Sequence, residues 1–272
     1  MIKIGLITDK YHLEKKSIQF IEYCKNHAEI SIYLEEEYFI NFSNYNFNEN
    51  IFFVKAKGDL VISLVKLIEY ETSIPVINSS KSISLAFNRF LNSVVLRKAG
   101  IKVPDFTLNP KGVSPPYNEY IIKNIVDQKN YAFRPQIQKK EGFLKVTDIR
   151  AIEESTGVKP KYTHIYYQDF VKSKWEYKVY LIGDDIFYFK QLPVLVDPDK
   201  MKSRVEIEKD KVLTEIAYKA AETIGLSICS MDFLKSINGE YYLTDINSSP
   251  NFNYLKNGPK IVSDYLIRQA KI

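Results

Sequence analysis

One stretch, residues 231–253, MDFLKSINGEYYLTDINSSPNFN, constrains this chain more than any other. Two runs with strand character, 231–235 and 240–246, flank Asn238-Gly239. Asn-Gly between such runs predicts a hairpin, because a type I′ turn needs positive φ at both central positions. A two-residue loop sets the register, so that Ile237 faces Glu240 and, five steps back, Asp232 faces Asp245. Side chains at i and i+2 share a strand face, which adds Asn247 to the two acids. Such acids can merely solvate an exposed face. Two carboxylates held opposite each other repel, however, and a bound cation is the simplest compensation. Hard oxygen donors at few protein positions suit Mg²⁺, which keeps waters and takes further ligands from substrate phosphates.

The chain of 272 residues is long enough for two or three compact lobes. Its 45% hydrophobic and 26% charged residues make it globular and exclude a disordered chain. A net charge of +5 suits a phosphate-handling enzyme, but no block of basic residues interleaved with aromatics points to nucleic acid. Cys24 and Cys229 are the only cysteines, each in an apolar context that predicts a buried thiol. The opening MIKIGLITDK reads as a first strand and not as a signal peptide. No stretch approaches the ~18–20 apolar residues of a membrane span, so the expected setting is cytoplasmic, with no membrane partner.

The first 80 residues alternate strand and helix patterns: strands at 2–8, 29–34, 51–54 and 75–77, helices at 11–26 and 59–70, and a loop at 41–50. This predicts a parallel α/β lobe. A dinucleotide fingerprint is missing, because Gly5 is not followed by a G-x-G-x-x-G pattern. Beyond it, Ser80 or Ser82 can cap one helix carrying Ile83, Leu85, Phe87, Phe90, Leu91, Val94 and Leu96, ended by Gly100. Residues 120–122 form a strand leading to Lys123, and 131–146 read as a basic hairpin with Gly142 as its single glycine. Residues 164–171, HIYYQDFV, form another strand. Residues 175–190 read as a hairpin about Gly183-Asp184, whose register the sequence leaves open. Residues 192–200 read as a loop, and helices are expected at 209–225, closed by Gly225, and at 260–271.

Several of these segments together resemble the ATP-grasp superfamily, both its RimK/glutathione-synthetase-like ligases and the inositol polyphosphate kinases. They are Asn78 with Asn88-Arg89 and Gly100-Ile-Lys-Val-Pro104, then Gln168-Asp169-Phe170-Val171, Lys178-Val-Tyr180, and Asp232 with Asp245-x-Asn247-x-x-Pro250. The resemblance implies an α/β (α+β) ATP-grasp fold with an N-terminal parallel α/β lobe at 1–80. A linker helix and small lobe at 81–170 would follow, then a C-terminal lobe at 171–272. It implies ATP and Mg²⁺ (or Mn²⁺) as cofactors, with metal on Asp232, Asp245 and Asn247. Lys123 and Arg89 would contact phosphate, Gln168, Asp169, Phe170 and Val171 would read adenine, and Glu176 would hold ribose or orient the basic residue that follows it. Lys190, Arg89 and Lys178 would act on the transferring group.

The leading implication is a carboxylate–amine ligase working through an acylphosphate; the alternative is a kinase of the inositol polyphosphate type. Expected partners are small-molecule or peptide carboxylates and amines, with a homo-oligomer left open. The chain departs from the family at the flap, where a Gly-rich loop is replaced by bulky, basic residues. Arg134, Lys139, Lys140 and Lys145 are the candidate charge substitutes, with Lys139 and Lys140 expected to close over the phosphates.

Overall fold

The computed structural model describes residues 1–37, 46–110, 112–126, 137–139, 164–193, 196 and 199–271. Its first strand, β1 (Lys3–Thr8), lies inside a four-stranded parallel sheet ordered β2-β1-β3-β4, with β2 (Glu29–Leu34), β3 (Ile51–Lys55) and β4 (Val76–Ile77). β1 and β3 read as nearly unbroken apolar runs because both of their faces are covered. On one face Ile7, Phe52 and Val54 pack against Val61, Leu64, Val65 and Ile68 of α3 (Asp59–Glu71). The helix expected over 11–26 is α1 (Lys10–His12), a π-helical turn (Leu13–Ser17) and α2 (Ile18–Cys24). Asp9 caps it, accepting from the His12 N–H at 2.7 Å, and Ser17 Oγ donates to the His12 carbonyl at 2.9 Å.

The single helix expected after residue 80 is two: α4 (Ser80–Phe87) and α5 (Arg89–Lys98). Ser79, and neither Ser80 nor Ser82, caps α4, its hydroxyl accepting from the Ser82 N–H. At Asn88 the backbone turns extended to pair with Val126, while the Arg89 N–H donates to the Ile125 carbonyl at 2.8 Å. Local helical periodicity runs through this point, and a tertiary strand contact overrides it. Asn88 then caps α5 by accepting from the Leu91 N–H, and Asn92 Nδ2 donates to the Ala86 carbonyl.

A small antiparallel sheet, ordered β5-β8-β6-β7, follows: β5 (Phe106–Pro110), β6 (Glu119–Lys123), β7 (Ile137–Lys139) and β8 (His164–Asp169). Of the expected flap hairpin only the backbone of β7 is described. Arg134, Lys140, Gly142, Lys145 and the Lys139 side chain lie outside the described residues, as do 41–45 of the loop expected at 41–50 and 194–195 and 197–198 of the one at 192–200.

The third sheet runs β11-β10-β9-β12-β13: β9 (Glu176–Ile182), β10 (Asp185–Gln191), β11 (Val205–Glu206), β12 (Ile228–Lys235) and β13 (Tyr241–Asn247). A short α6 (Lys200–Ser203) precedes β11, and α7 (Lys211–Ile224) precedes β12. Val179, Leu181, Met231, Phe233 and Leu243 on one face of the sheet bury against Leu213, Ala217, Ala220 and Ala221 of α7. α7 stops at Gly225, whose φ of 84° is the left-handed cap glycine supplies most cheaply. On the other face, Tyr180, Ile182 and Ile228 pack with β1, β3 and α8 (Gly258–Gln269) in a second core. Cys24 and Cys229 are buried free thiols, one in each of these cores. Among the described residues no helix is long and apolar enough to cross a membrane.

The β12–β13 hairpin corrects its sequence reading in two places that cancel. Its loop has three residues, 237–239, with the Gly239 N–H on the Ser236 carbonyl and a positive φ of 82° at Gly239, so Ser236 and not Ile237 faces Glu240, its N–H on the Glu240 carbonyl, and Lys235 pairs with Tyr241. This is a type I turn followed by a left-handed glycine. A bulge between Asp232 and Phe233 then leaves Thr244 unpaired and restores Asp232 opposite Asp245.

Asn78 ties the parallel sheet to this hairpin. Its Nδ2 donates to the carbonyls of Ile228 (2.7 Å) and Ser248 (3.1 Å), and its Oδ1 accepts from the N–H groups of Ser227 and Ile228. Asn78→Ala abandons four backbone groups at a buried joint. At about 1–3 kcal/mol per abandoned group, partly relieved by water, urea titration should show a loss of roughly 3–5 kcal/mol. A variant within about 1 kcal/mol of wild type would mean the joint is held by packing alone.

Candidate active site

Alternation along the third sheet collects one polar face. Lys178 of β9, Asp232 of β12 and Asp245 of β13 stand in one row across three strands; Tyr180, Ser230 and Asn247 form the next. Two opposed carboxylates are therefore built into the register, with the Asn247 amide one row on. The Asn247 Oδ1 accepts from the Ser249 N–H at 2.9 Å, which fixes the amide at the mouth of the following loop.

Cations from three segments meet this pair. Lys178 Nζ lies 2.8 Å from Asp232 Oδ1, and Arg89 Nε lies 3.5 Å from Asp245 Oδ1. Lys123, at the end of β6, donates to the Thr244 carbonyl at 2.8 Å, so the bulge that sets the register also presents the acceptor for this lysine. Burial alone would drive the Lys178 ammonium down, but Asp232, with help from Asp245, outweighs it and holds the group up at about 12. Lys123 goes the other way: burial pushes it down to about 8, with Asp245 opposing and Arg89 adding to the fall. The difference follows from distance, because Lys178 touches a carboxylate and Lys123 touches only a carbonyl.

Arg89 arrives here because of the helix break, which starts α5 at the edge of the small sheet; its Nη1 also donates to the Asn124 carbonyl at 3.2 Å. Glu176 shares the face, two residues before Lys178, and is buried with Gln191 Nε2 donating to it. Asp169 ends β8, and residues 170–171 lead from it towards β9, whose first residue is Glu176. Asp169 N–H donates to the Asp105 carbonyl and Phe170 N–H to the Glu119 carbonyl, anchoring this connection to the small sheet. Gln168 is buried, and its side chain turns to the Tyr166 hydroxyl, which bonds Ser93 on α5. Val171 is half-buried.

Lys190 is not brought to this face. A two-residue turn at Gly183-Asp184, with φ of 58° at Gly183, pairs Lys190 with Tyr177 on the opposite face, where its ammonium lies 5.2 Å from the Trp175 ring centre. The residue that the alternation does place beside Glu176 is Gln191. Gln191 in turn accepts from Arg204 Nε at 2.6 Å, and Arg204 Nη1 donates to the Tyr180 hydroxyl at 3.4 Å. Neither Gln191 nor Arg204 stood out in the sequence, though a two-residue loop at Gly183 was the available signal for the first.

At the acid row, a cavity of about 600 Å³ separates the polar face from the π-helical turn. Lys15, Lys16, Lys178, Arg204, Ser230, Asp232, Asn247 and Tyr254 are among its walls. No family model matches the sequence, and no curated protein matches it. Solved structures do. A RimK domain ATP-grasp protein from Sphaerobacter thermophilus superimposes over 97% of this chain and 99% of its own at a TM-score of 0.71 and 12% identity. The chain has the ATP-grasp fold. D-alanine–D-alanine ligase from Bacillus anthracis, complexed with ATP, matches over 100% of this chain and 98% of its own, with a TM-score of 0.69 and 14% identity. The ATP-grasp ligase PsnB, complexed with a phosphomimetic variant of its minimal precursor, Mg and ADP, matches over 98% of both chains, with a TM-score of 0.71 and 14% identity.

Within this fold the donor set of Asp232, Asp245 and Asn247, two carboxylates and an amide oxygen in adjacent rows, fits a hard divalent cation. Among the described residues no group of three or more His, Cys, Asp or Glu side chains offers another candidate. Without metal, Lys178 is the near counter-charge of Asp232, both being mostly enclosed. Lys178→Met should therefore lower stability by about 3 kcal/mol in metal-free buffer, as breaking an enclosed pair does. Millimolar Mg²⁺ should restore more of that loss than it adds to wild type. Thermal denaturation with and without Mg²⁺ reads both, and equal Mg²⁺ effects on the two proteins would contradict a metal site at these acids.

Proposed function

We propose that this protein is an ATP- and Mg²⁺-dependent ligase that joins a carboxylate to an amine through an acylphosphate. The observation that carries the reading is the acid row, with cations converging on it from α5, β6 and β9. Asp232, Asp245 and Asn247 would hold the metal, which when bound draws charge from the β- and γ-phosphates. Lys123 and Arg89 reach the row from the small-sheet side and supply fixed positive charge to the phosphates. Lys178, in the row itself, is the cation placed to steady the transferring group as its negative charge shifts. Gln168, Asp169, Phe170 and Val171, with Glu176, lie towards the nucleoside end; Phe170 and Val171 offer an apolar surface of the kind a flat base needs.

In the chemistry proposed, a substrate carboxylate oxygen attacks the γ-phosphorus, the bridging P–O bond breaks and ADP leaves. An amine nitrogen then attacks the acyl carbon; inorganic phosphate departs and the amine loses a proton. Two of the similar structures are ligases, one complexed with ATP and the other with a phosphomimetic variant of its minimal precursor, Mg and ADP. Small molecules and peptides are accordingly the substrate classes proposed here. Hydroxylamine tests the reading, because it intercepts acylphosphates. With ATP, Mg²⁺ and a panel of carboxylates, the expected products are a hydroxamate, ADP and free phosphate in equal amounts. Labelled γ-phosphate retained on a stable product would make the protein a phosphotransferase of the inositol phosphate kinase type instead.

A further inference from the structure

Residue order along β9 assigns the two ends of the polar face different tasks. The chain enters β9 from residues 169–171, passes Glu176, crosses the acid row at Lys178, and reaches Tyr180 and then Ile182, which is buried against the N-terminal sheet. The cavity spans the acid row, walled by Tyr180, Ser230 and Asn247 on one side of it, by Gln191, which pairs with Glu176, on the other, and by Lys15 and Lys16 of the π-helical turn. Lys123 and the 168–171 segment are not among its walls. The space thus opens onto the acid row while standing clear of the segment assigned to the adenine.

Its charge is lopsided. Among the described residues that line it, Lys15, Lys16, Lys178 and Arg204 are the cations and Asp232 the acid, with Lys178 2.8 Å from Asp232. Among the described residues Arg204 is held by neutral partners: Gln191 Oε1 at 2.6 Å, the Tyr180 hydroxyl at 3.4 Å and the Tyr254 ring centre at 5.2 Å. Such contacts aim a guanidinium without cancelling its charge, which leaves its fork for an anion. Lys15 is exposed and makes no ion pair among the described residues. Lys15 and Lys16 both sit on the π-helical turn, a distortion that recurs at functional sites because it re-aims side chains that a regular helix would point elsewhere. Lys16 lies 5.3 Å from the Tyr11 ring centre, another wall of the cavity.

We propose that this cavity selects an acceptor carrying at least one anionic group besides the carboxylate that is activated, with Arg204, Lys15 and Lys16 as its specificity residues. Naming that ligand the acceptor rests on the ligase reading above; the anion site itself does not. A volume of about 600 Å³ has room for a dipeptide-sized molecule, not only a single amino acid. Two opposed cationic walls favour a ligand with charge at both ends, and the complementary field rejects a neutral isostere more than it adds raw affinity.

The test is calorimetric binding of N-acetyl-Glu-Glu, its isostere N-acetyl-Gln-Gln and N-acetyl-phosphoserine, each with and without Mg²⁺ and the non-hydrolysable AMPPNP. The expected result is at least roughly tenfold preference for an anionic probe over the Gln isostere, a tenfold step being what one charge-assisted hydrogen bond supplies. Whichever of the carboxylate and phosphate probes binds tighter identifies the source of the anion. Arg204→Gln and Lys15→Ala/Lys16→Ala should each erase most of the preference, and Arg204→Lys should keep part of it, all without changing AMPPNP affinity. No preference in wild type, or a preference that survives both variants, overturns the proposal. A loss of AMPPNP affinity in these variants also overturns it, because the cations would then belong to the nucleotide. Failure of wild type to bind AMPPNP, with the anion preference intact, would instead count against the ligase reading and leave the anion site standing.

Discussion

Asp232 and Asp245 face each other across two adjacent strands, and the rest of the site is an answer to that opposition. A strand pair with like charges directly opposed loses stability unless something positive lies close. Here three cations supply it: Lys178 from the neighbouring strand, Arg89 from the start of a helix, and Lys123 from the end of a strand in another sheet. None of them is near the acids in sequence. The pair can exist only when the small sheet, the linker helices and the large sheet have all come together, so the charges couple the parts of the molecule that a nucleotide would bridge under the proposed function.

That coupling also explains two irregularities. The bulge at Thr244 keeps the acids in register after a three-residue loop has shifted the hairpin, and it turns a carbonyl to Lys123. The break at Asn88 gives up continuous helix to pair with Val126, and it places Arg89 beside Asp245. Each departs from regular secondary structure at a point where a side chain or carbonyl is delivered to the acid row. In the structure these cations lie beside the acids as counter-ions. A metal–nucleotide complex would take over that role and free them to meet phosphate oxygens, with little repacking of the core beneath.

Much of this was legible in the chain. The opposition of Asp232 and Asp245 followed from Asn238-Gly239 and period-two alternation, although two register errors of one residue had to cancel for it to hold. The parallel lobe followed from its unbroken apolar strands and the Gly225 cap from its position after an amphipathic run. What could not be read were the contacts made between distant segments. The break at Asn88 depends on Val126, and the placement of Lys190 depends on a turn whose type the letters Gly-Asp do not settle. Arg204 and Gln191 gain meaning only from each other, and Lys15 and Lys16 only from a π-helical turn that no periodicity marks.

Under the proposed function the acid row binds a metal together with nucleotide, and Mn²⁺ makes that directly visible. Free Mn²⁺ gives a sharp six-line paramagnetic resonance signal that weakens when the ion is immobilised. Titrating the protein into Mn²⁺ and AMPPNP should deplete the signal beyond the depletion caused by nucleotide alone. Asp232→Asn and Asp245→Asn, folded like wild type, should each lose most of that extra depletion. The same depletion in both variants as in wild type would contradict the account, because the two acids would then be opposed for some reason other than metal.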